Sequence, residues 1–137
     1  MPKLPKAERL HSKKAIDSLF EKGEKWSCYP FRVVLETKEE DSEISPVRFL
    51  VSVGKRNFKR AVDRNLLKRR TREAFRLNKH RLSHLFSLHS SELENRKIVL
   101  GFIYTAKQIE PYALIEKRMN SAIDGILDRI KQLIIQQ

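Results

Sequence analysis

The segment "KIVLGFIYT", residues 97–105, constrains the fold more than any other stretch of the sequence. It is rich in β-branched and aromatic residues, which predicts a strand, and it is apolar enough to occupy the centre of a sheet. A membrane-spanning helix requires about 20 consecutive apolar residues, and no stretch of the sequence approaches that length. The N-terminus also lacks the apolar run of a secretory signal, so we expect a soluble, cytoplasmic protein built around a sheet.

Three further strands and three main helices are predicted around this central strand. Alternating or β-branched residues predict the strands, whereas apolar residues at helical spacing predict the helices. The predicted strands are 25–28, 31–37 and 47–53, and the predicted helices are about 12–22, 58–79 and 112–134. The order α-β-β-β-α-β-α predicts an α+β fold in which a four-stranded sheet packs with three main helices.

The remaining stretches are assigned by composition. Residues 80–96 are amphipathic at first and Ser-rich later, which predicts a helical extension followed by a surface loop. The acidic run 38–45 predicts a solvated turn. Two early prolines interrupt any first helix, so residues 1–8 are expected to form a flexible basic arm before a single domain at 9–137.

The charge of the chain is concentrated in one segment. The sequence contains 29 Lys and Arg against 17 Asp and Glu, a formal net charge of +12. Between Lys55 and Arg81, twelve Lys or Arg stand against only Asp63 and Glu73, so this stretch carries +10 and the other residues together only +2. This concentration of positive charge predicts a polyanionic partner, either nucleic acid or an anionic membrane.

The predicted helix at 58–79 separates its charged side chains from its apolar ones. Leu67, Thr71 and Ala74 lie on one side and form a face that can dock on the sheet. The opposite side carries like charges at i,i+4 that no carboxylate offsets, unlike an ordinary solvated helix face. Arginine predominates and no bulky apolar side chain accompanies it, which favours nucleic acid over membrane. At about 100° per residue, an arc of about 140° holds Arg64, Asn65, Lys68, Arg69, Arg72, Arg76 and Lys79.

Side chains that catalyse reactions or bind metals are not grouped in the sequence. The single Cys28 cannot form an internal disulfide or a multi-cysteine zinc site, and we expect it to be a buried or half-buried strand residue. His80 and His84 have the i,i+4 spacing of a metal-binding pair, but no third ligand accompanies them, so surface histidines are expected. The sequence therefore predicts no catalytic residue and no dedicated metal site in the protein.

The segment "FLVSVGKRNFKRAVDRNLLKRRTREAFR", residues 49–76, closely resembles the signature segment of the bacterial ribonuclease P protein family. The family pattern A-V-x-R-N-x-x-K-R-x-x-R-E-x-F-R is matched here at every specified position from Ala61 to Arg76. The segment "RLHSKKAIDSLFEKG" is similar to the family's first helix, with matches at Arg9, Leu10, Phe20 and Gly23. Nearly the whole chain follows the element order of this family.

The resemblance implies that the protein is a subunit of ribonuclease P and binds its catalytic RNA. In that enzyme the RNA, with bound Mg²⁺, removes the 5′ leader of precursor tRNA, so the Mg²⁺ is expected on the RNA and substrate rather than on the protein. A cleft between the first helix and the sheet is expected to hold the leader. The resemblance places these residues on the RNA: Lys55, Arg56, Arg60, Arg64, Asn65, Lys68, Arg69, Arg72 and Arg76. It assigns Ile16, Phe20, Phe31 and Val34 to the leader-binding cleft.

Some positions depart from the family pattern or have a second interpretation. Ile16 and Val34 stand where the family often has aromatic residues, and Leu66 stands where a third motif arginine is common. Phe20 and Phe31 lie at spacings that are equally compatible with core positions, and Asn65 can instead bond to neighbouring backbone at a helix start. Unpaired bases stack on aromatic rings with little sequence preference, so aromatic residues in the cleft would suit single-stranded leaders of different sequence.

Two other functions compete with this hypothesis. A ribosomal protein or similar RNA-binding module could have a comparable charge and a comparable fold of sheet and helices. It would not require the residue spacing of the signature segment, so this alternative is less favoured. A DNA-binding regulator is disfavoured, because a strand and not a helix-turn-helix precedes the basic helix. The expected partners are therefore the catalytic RNA and precursor tRNA, with no membrane and no obligate protein partner.

Overall fold

A computed structural model describes residues 12–40 and 45–136. The predicted arm at 1–8, the matches at Arg9 and Leu10, and part of the predicted acidic turn lie outside these residues. The elements, in chain order, are α1 Lys13–Lys22, β1 Glu24–Cys28, β2 Phe31–Glu39, β3 Val47–Val53, α2 Ala61–Asn78, α3 His80–Leu88, β4 Arg96–Tyr104 and α4 Tyr112–Ile135. The α+β fold with a four-stranded sheet and three main helices is confirmed. The predicted extension at 80–96 forms a separate short helix, α3, followed by turns, and β2 continues two residues further than predicted.

The four strands form one mixed sheet in the order β1-β2-β4-β3. β1 pairs with β2 and β2 pairs with β4 in antiparallel fashion, whereas β3 runs parallel to β4. A parallel pair requires a crossover connection, and α2 with α3 supplies it between β3 and β4. β4 is paired along both edges, which confirms the prediction that the apolar segment at 97–105 is central.

The main hydrophobic core lies between the sheet and the pair α2 and α4. Because side chains alternate along a strand, Phe31, Val33 and Leu35 of β2 point into this core together. The ring of Phe31 makes edge-on contacts with Phe102 and Tyr104 of β4. A buried stripe along α4 closes the core, as its helical spacing predicts: Ile115, Met119, Ala122, Ile123, Ile126 and Ile130.

Helix α1 packs on the opposite face of the sheet. It buries Leu19 against Val34 and Val99, and this small cluster is separate from the main core. Ser12 caps the helix N-terminus, since its side chain accepts a hydrogen bond from the backbone N–H of Ala15 at 3.4 Å. Beside α1, this face of the sheet carries residues that are only half-buried, such as Leu50 and Ile103.

Glycines allow α1 to lie close to the strands. A Cβ at Gly101 of β4 would lie 3.1 Å from Leu19 Cδ2, which is tighter than ordinary contact. Gly23, directly after α1, is even closer, because its Cβ would lie 2.5 Å from Val34 Cγ1. The position of α1 therefore depends on two residues without side chains.

Candidate RNA-binding surface

The loop between β3 and α2, residues 54–60, presents a row of exposed basic side chains. Lys55, Arg56, Lys59 and Arg60 are all exposed. Phe58 anchors the loop, because its ring is buried and packs edge-on against Tyr104 with centroids 5.7 Å apart. One apolar side chain thus holds the loop on the core while its basic neighbours face outward.

Helix α2 packs on the sheet through the predicted apolar face and also through Phe75, which lies within the predicted basic arc. Leu67, Thr71 and Ala74 are buried, as predicted. Phe75 is also buried, with its ring 4.4 Å from that of Phe49 on β3, although its angular position lies between Arg64 and Lys68. The basic arc is therefore narrower than predicted, and Arg64 and Lys68 are only half-exposed. The side chains that face outward are Asn65, Arg69 and Arg72, with Arg60 at the start of the helix.

Several of the predicted RNA-binding arginines interact within the protein itself, and Arg64 and Arg76 do so through short hydrogen bonds. The Nη1 group of Arg64 donates to the carbonyl oxygens of Phe58 and Lys59, both at 2.9 Å, and so braces the basic loop. Arg76 donates to both carboxylate oxygens of Glu73, at 3.0 and 2.5 Å. These hydrogen bonds lower the pKa of the Glu73 carboxyl from its ordinary value. The RNA contacts predicted for Arg64 and Arg76, like those of the other basic residues, stay predictions.

Arg70 belongs to the fold rather than to the outward face. Its Nη1 group donates to the carbonyl oxygen of Glu110 at 2.7 Å, in the loop that joins β4 to α4. The same loop is held by Tyr104, whose hydroxyl donates to the carbonyl of Gln108 and accepts from the backbone N–H of Glu110. Burial raises the pKa of the Tyr104 hydroxyl. The basic helix is thereby fixed to the neighbouring loop.

Two of the four predicted leader-binding residues keep accessible surface on α1, at the edge of the sheet face that this helix covers. Phe20 is 37% exposed, and Ile16, one turn earlier on the same side of α1, is half-buried at the edge of the Leu19 cluster. Arg32 at the start of β2 is exposed on the same sheet face as Val34 and pairs in register with half-buried Ile103. Neither Arg32 nor Ile103 was predicted from the sequence to contact the leader. The period of two along β2 would have placed Arg32 on this face once Val34 was assigned to it.

The predictions that Phe31 and Val34 line the cleft are wrong. Phe31 is 1% exposed and lies in the main core, on the sheet face that α1 does not touch. Val34 lies on the correct face but is completely buried beneath Leu19. Neither side chain offers surface to a nucleotide, because both are buried, whereas Arg32 between them is exposed.

Comparison with known proteins identifies the family. A sequence model of the ribonuclease P family matches residues 4–122. The chain belongs to the ribonuclease P protein family. It is 34% identical over 129 residues to the ribonuclease P protein component of Porphyromonas gingivalis strain W83, which covers 93% of this chain and 88% of that relative. It is 33% identical over 106 residues to the corresponding protein of Chlorobaculum tepidum, covering 76% and 68% of the two chains.

A solved structure shows the same fold. The 2.0 Å structure of the Staphylococcus aureus RNase P protein superposes with a TM-score of 0.56 at 24% identity, covering 87% of this chain and 94% of that one. Family membership makes the chain a protein subunit of ribonuclease P, the endoribonuclease that processes the 5′ ends of tRNA. The prediction of this family and of its function is confirmed.

Two further observations concern residues 12–40 and 45–136. None of the helices there is long and apolar enough to cross a membrane. In the same part of the chain, no three or more His, Cys, Asp or Glu side chains come together as metal ligands would. Cys28 is buried at the end of β1, as expected.

Proposed function

We propose that this ribonuclease P subunit binds the catalytic RNA through the loop at 54–60 and the outward face of α2. The observation that carries the proposal is the coincidence of charge and exposure. The segment from Lys55 to Arg81 holds ten of the twelve net positive charges, and its exposed basic side chains lie along the loop at 54–60 and the outward side of α2. Binding of RNA phosphates would relieve the repulsion between these like charges and release counterions from the RNA.

The second part of the proposal places the 5′ leader of precursor tRNA in the cleft beside α1. Phe20 supplies the aromatic surface on which an unpaired base can stack, and Arg32 supplies a cation for the leader backbone. Ile16 and Ile103 complete the cleft with aliphatic surface. Since Ile16 offers no ring, we expect Phe20 to provide most of the stacking.

The third part concerns the chemistry. We assign cleavage to the RNA and to Mg²⁺ held by the RNA and its substrate. Near the basic surface, the described residues offer the carboxylates of Asp63 and Glu73, and Glu73 is occupied by Arg76. The protein acts by positioning the RNA and the leader and by neutralising phosphates, which lowers the Mg²⁺ concentration that the complex requires. In this proposal, the substrate of the complex is precursor tRNA in the cytoplasm.

Reconstitution tests the proposal directly. The protein is mixed with a bacterial ribonuclease P RNA and a precursor tRNA bearing a short 5′ leader, at a low Mg²⁺ concentration that does not sustain cleavage by the RNA alone. We expect the protein to restore cleavage. Tight binding without any increase in cleavage would instead identify a general RNA-binding module.

The Phe20→Ala variant tests the leader cleft separately from the RNA surface. Loss of one stacking ring is expected to weaken binding of leader-bearing tRNA about 5- to 140-fold, with little effect on leaderless tRNA or on the catalytic RNA. Leu88→Ala on α3 is the matched control, because Leu88 is a 64% exposed apolar residue outside both surfaces. Equal losses for leader-bearing and leaderless tRNA would show that Phe20 does not contact the leader.

A further inference from the structure

A shallow hollow interrupts the basic surface at the N-terminal end of α2. Its volume is about 440 Å³. Val62, 58% exposed, contributes apolar surface to it together with half-buried Leu66. We call it the Val62 hollow, and it is lined by Arg60, Val62, Asp63, Asn65, Leu66 and Arg69.

The apolar part of the Val62 hollow does not suit a phosphate group. A phosphate oxygen loses hydration against aliphatic side chains and gains no hydrogen bond in return. A flat nucleobase, in contrast, buries apolar surface against Val62 and Leu66, and this burial is favourable roughly in proportion to the area removed from water. The exposed surface of Val62 between two arginines is therefore complementary to a nucleobase rather than to a backbone phosphate.

Asp63 points to the same conclusion. Its carboxylate is only loosely paired, with Oδ2 at 3.9 Å from Arg60 Nε, and its side chain is 26% exposed. Glu73, by comparison, accepts two hydrogen bonds from Arg76. A carboxylate repels phosphate but accepts hydrogen bonds from the N–H groups on a base edge.

The remaining lining residues fit the other parts of a nucleotide. The amide of Asn65 carries both donors and an acceptor, so it can pair with a base edge. The planar guanidinium groups of Arg60 and Arg69 can stack on a base or bind the phosphates on either side of it. The Val62 hollow thus combines an apolar surface for a base, polar groups that can bond to the edge of the base, and cations for the neighbouring phosphates.

We propose that the Val62 hollow receives one unpaired nucleobase of the catalytic RNA. The base lies on Val62 and Leu66, its N–H edge faces Asp63 and Asn65, and the flanking phosphates lie on the two arginines. The proposal rests on the proposed function, since it requires that α2 binds RNA. It adds a base-recognition site to a surface otherwise suited to phosphates.

The test compares Val62→Ala with the wild-type protein, using a bacterial ribonuclease P RNA that the protein activates. Alanine favours helix, so the variant is expected to fold normally. We expect RNA affinity to fall about three- to tenfold at every salt concentration, because the slope of log affinity against log salt reports phosphate contacts and not base contacts. One base that the wild-type protein protects from chemical modification should become reactive.

Three further variants separate base from phosphate binding. Arg69→Ala should reduce the salt slope by about one, as loss of a phosphate contact does. Leu66→Arg replaces apolar floor by a cation, so it should increase the slope by about one and abolish protection of the base. Leu77→Ala, a 45% exposed apolar residue of α2 outside the hollow, is the control and should change neither quantity.

The outcomes distinguish this inference from the function on which it rests. If the wild-type protein neither binds nor activates the RNA, both the proposed function and the nucleobase site are refuted. If the wild-type protein binds and activates it but Val62→Ala has unchanged affinity and base protection, the nucleobase site alone is refuted. A Val62→Ala variant that lowers the salt slope would also refute it, because the hollow would then bind phosphate.

Discussion

Replacement of Gly23 by alanine is expected to displace α1 from the sheet and to destabilise the protein. A Cβ at this position would lie 2.5 Å from both the carbonyl oxygen of Leu19 and Val34 Cγ1, and 3.3 Å from the carbonyl oxygen of Leu35. Favourable carbon contacts begin at about 3.5 Å, so the new methyl group is about 1 Å too close on two sides. Two of these neighbours are backbone atoms and Val34 is completely buried, so relief requires movement of the helix itself.

The magnitude follows from the cost of over-packing, which is about 1–3 kcal/mol. Glycine-to-alanine changes also stabilise through the unfolded chain, by about 0.4–1 kcal/mol, and a matched control removes this contribution. Gly54→Ala is that control, because its Cβ would meet no atom within 4 Å. Neither glycine has a positive φ, so alanine is compatible with both backbones. The two variants are therefore expected to differ by about 1–3 kcal/mol, or about 3–12 °C in Tm.

Thermal unfolding followed by circular dichroism measures this difference. Binding of leader-bearing and leaderless tRNA to the reconstituted enzyme then reports on the cleft. We expect Gly23→Ala to weaken the binding of leader-bearing tRNA selectively. Binding of the catalytic RNA should be retained, because α2 lies on the other face of the sheet. Equal stability of the two variants within about 0.5 kcal/mol would refute the packing argument. Equal loss of leader and catalytic RNA binding would refute the separation of the two surfaces.

Two neighbouring arginines and one ion pair allow further tests. Arg70→Ala should lower the free energy of unfolding by about 1–3 kcal/mol, because it leaves the Glu110 carbonyl without this donor. Arg69→Ala should instead keep full stability and lose RNA affinity. Chemical denaturation measures the first effect and RNA titration measures the second. The lowered pKa of Glu73 means that its pairing with Arg76 stabilises the protein above the unfolded-state pKa, and that this contribution is lost as pH falls through the folded-state pKa. Thermal unfolding between neutral and acidic pH should accordingly show a smaller acid destabilisation in Glu73→Gln than in the wild-type protein, and identical pH profiles would contradict the assignment.

The strands and helices were largely predictable because their signals are local. Residues 97–105 are apolar enough to identify the central strand, and the signature segment places basic residues along a helix that begins just after a strand. The one-residue break at Lys79, which separates α2 from α3, was not predicted. The backbone there is helical, with φ −67° and ψ −18°, so the break has no glycine or proline to mark it.

Assignments that depend on packing were the ones that failed. Phe31 and Val34 both lie on β2, and the period of two shows only that they point to opposite faces. Since both faces of β2 are covered, hydrophobicity could not tell which face lies under α1. Phe75 is a similar case, because a helical arc drawn from charge alone includes it, although contact with Phe49 turns that part of α2 toward the sheet.

The sequence by itself determined the element order, the central strand, the concentration of charge and the family of this protein, because backbone periodicity and composition are properties of short segments. The tertiary structure alone decided which basic side chains face outward, which are held by Glu73 or by the loop carbonyls, and which side chains of β2 are buried on each face of the sheet. These features require pairing between distant strands and packing of helices on both faces of the sheet. The free energy of such contacts depends on partners far apart in sequence, and no local pattern records it.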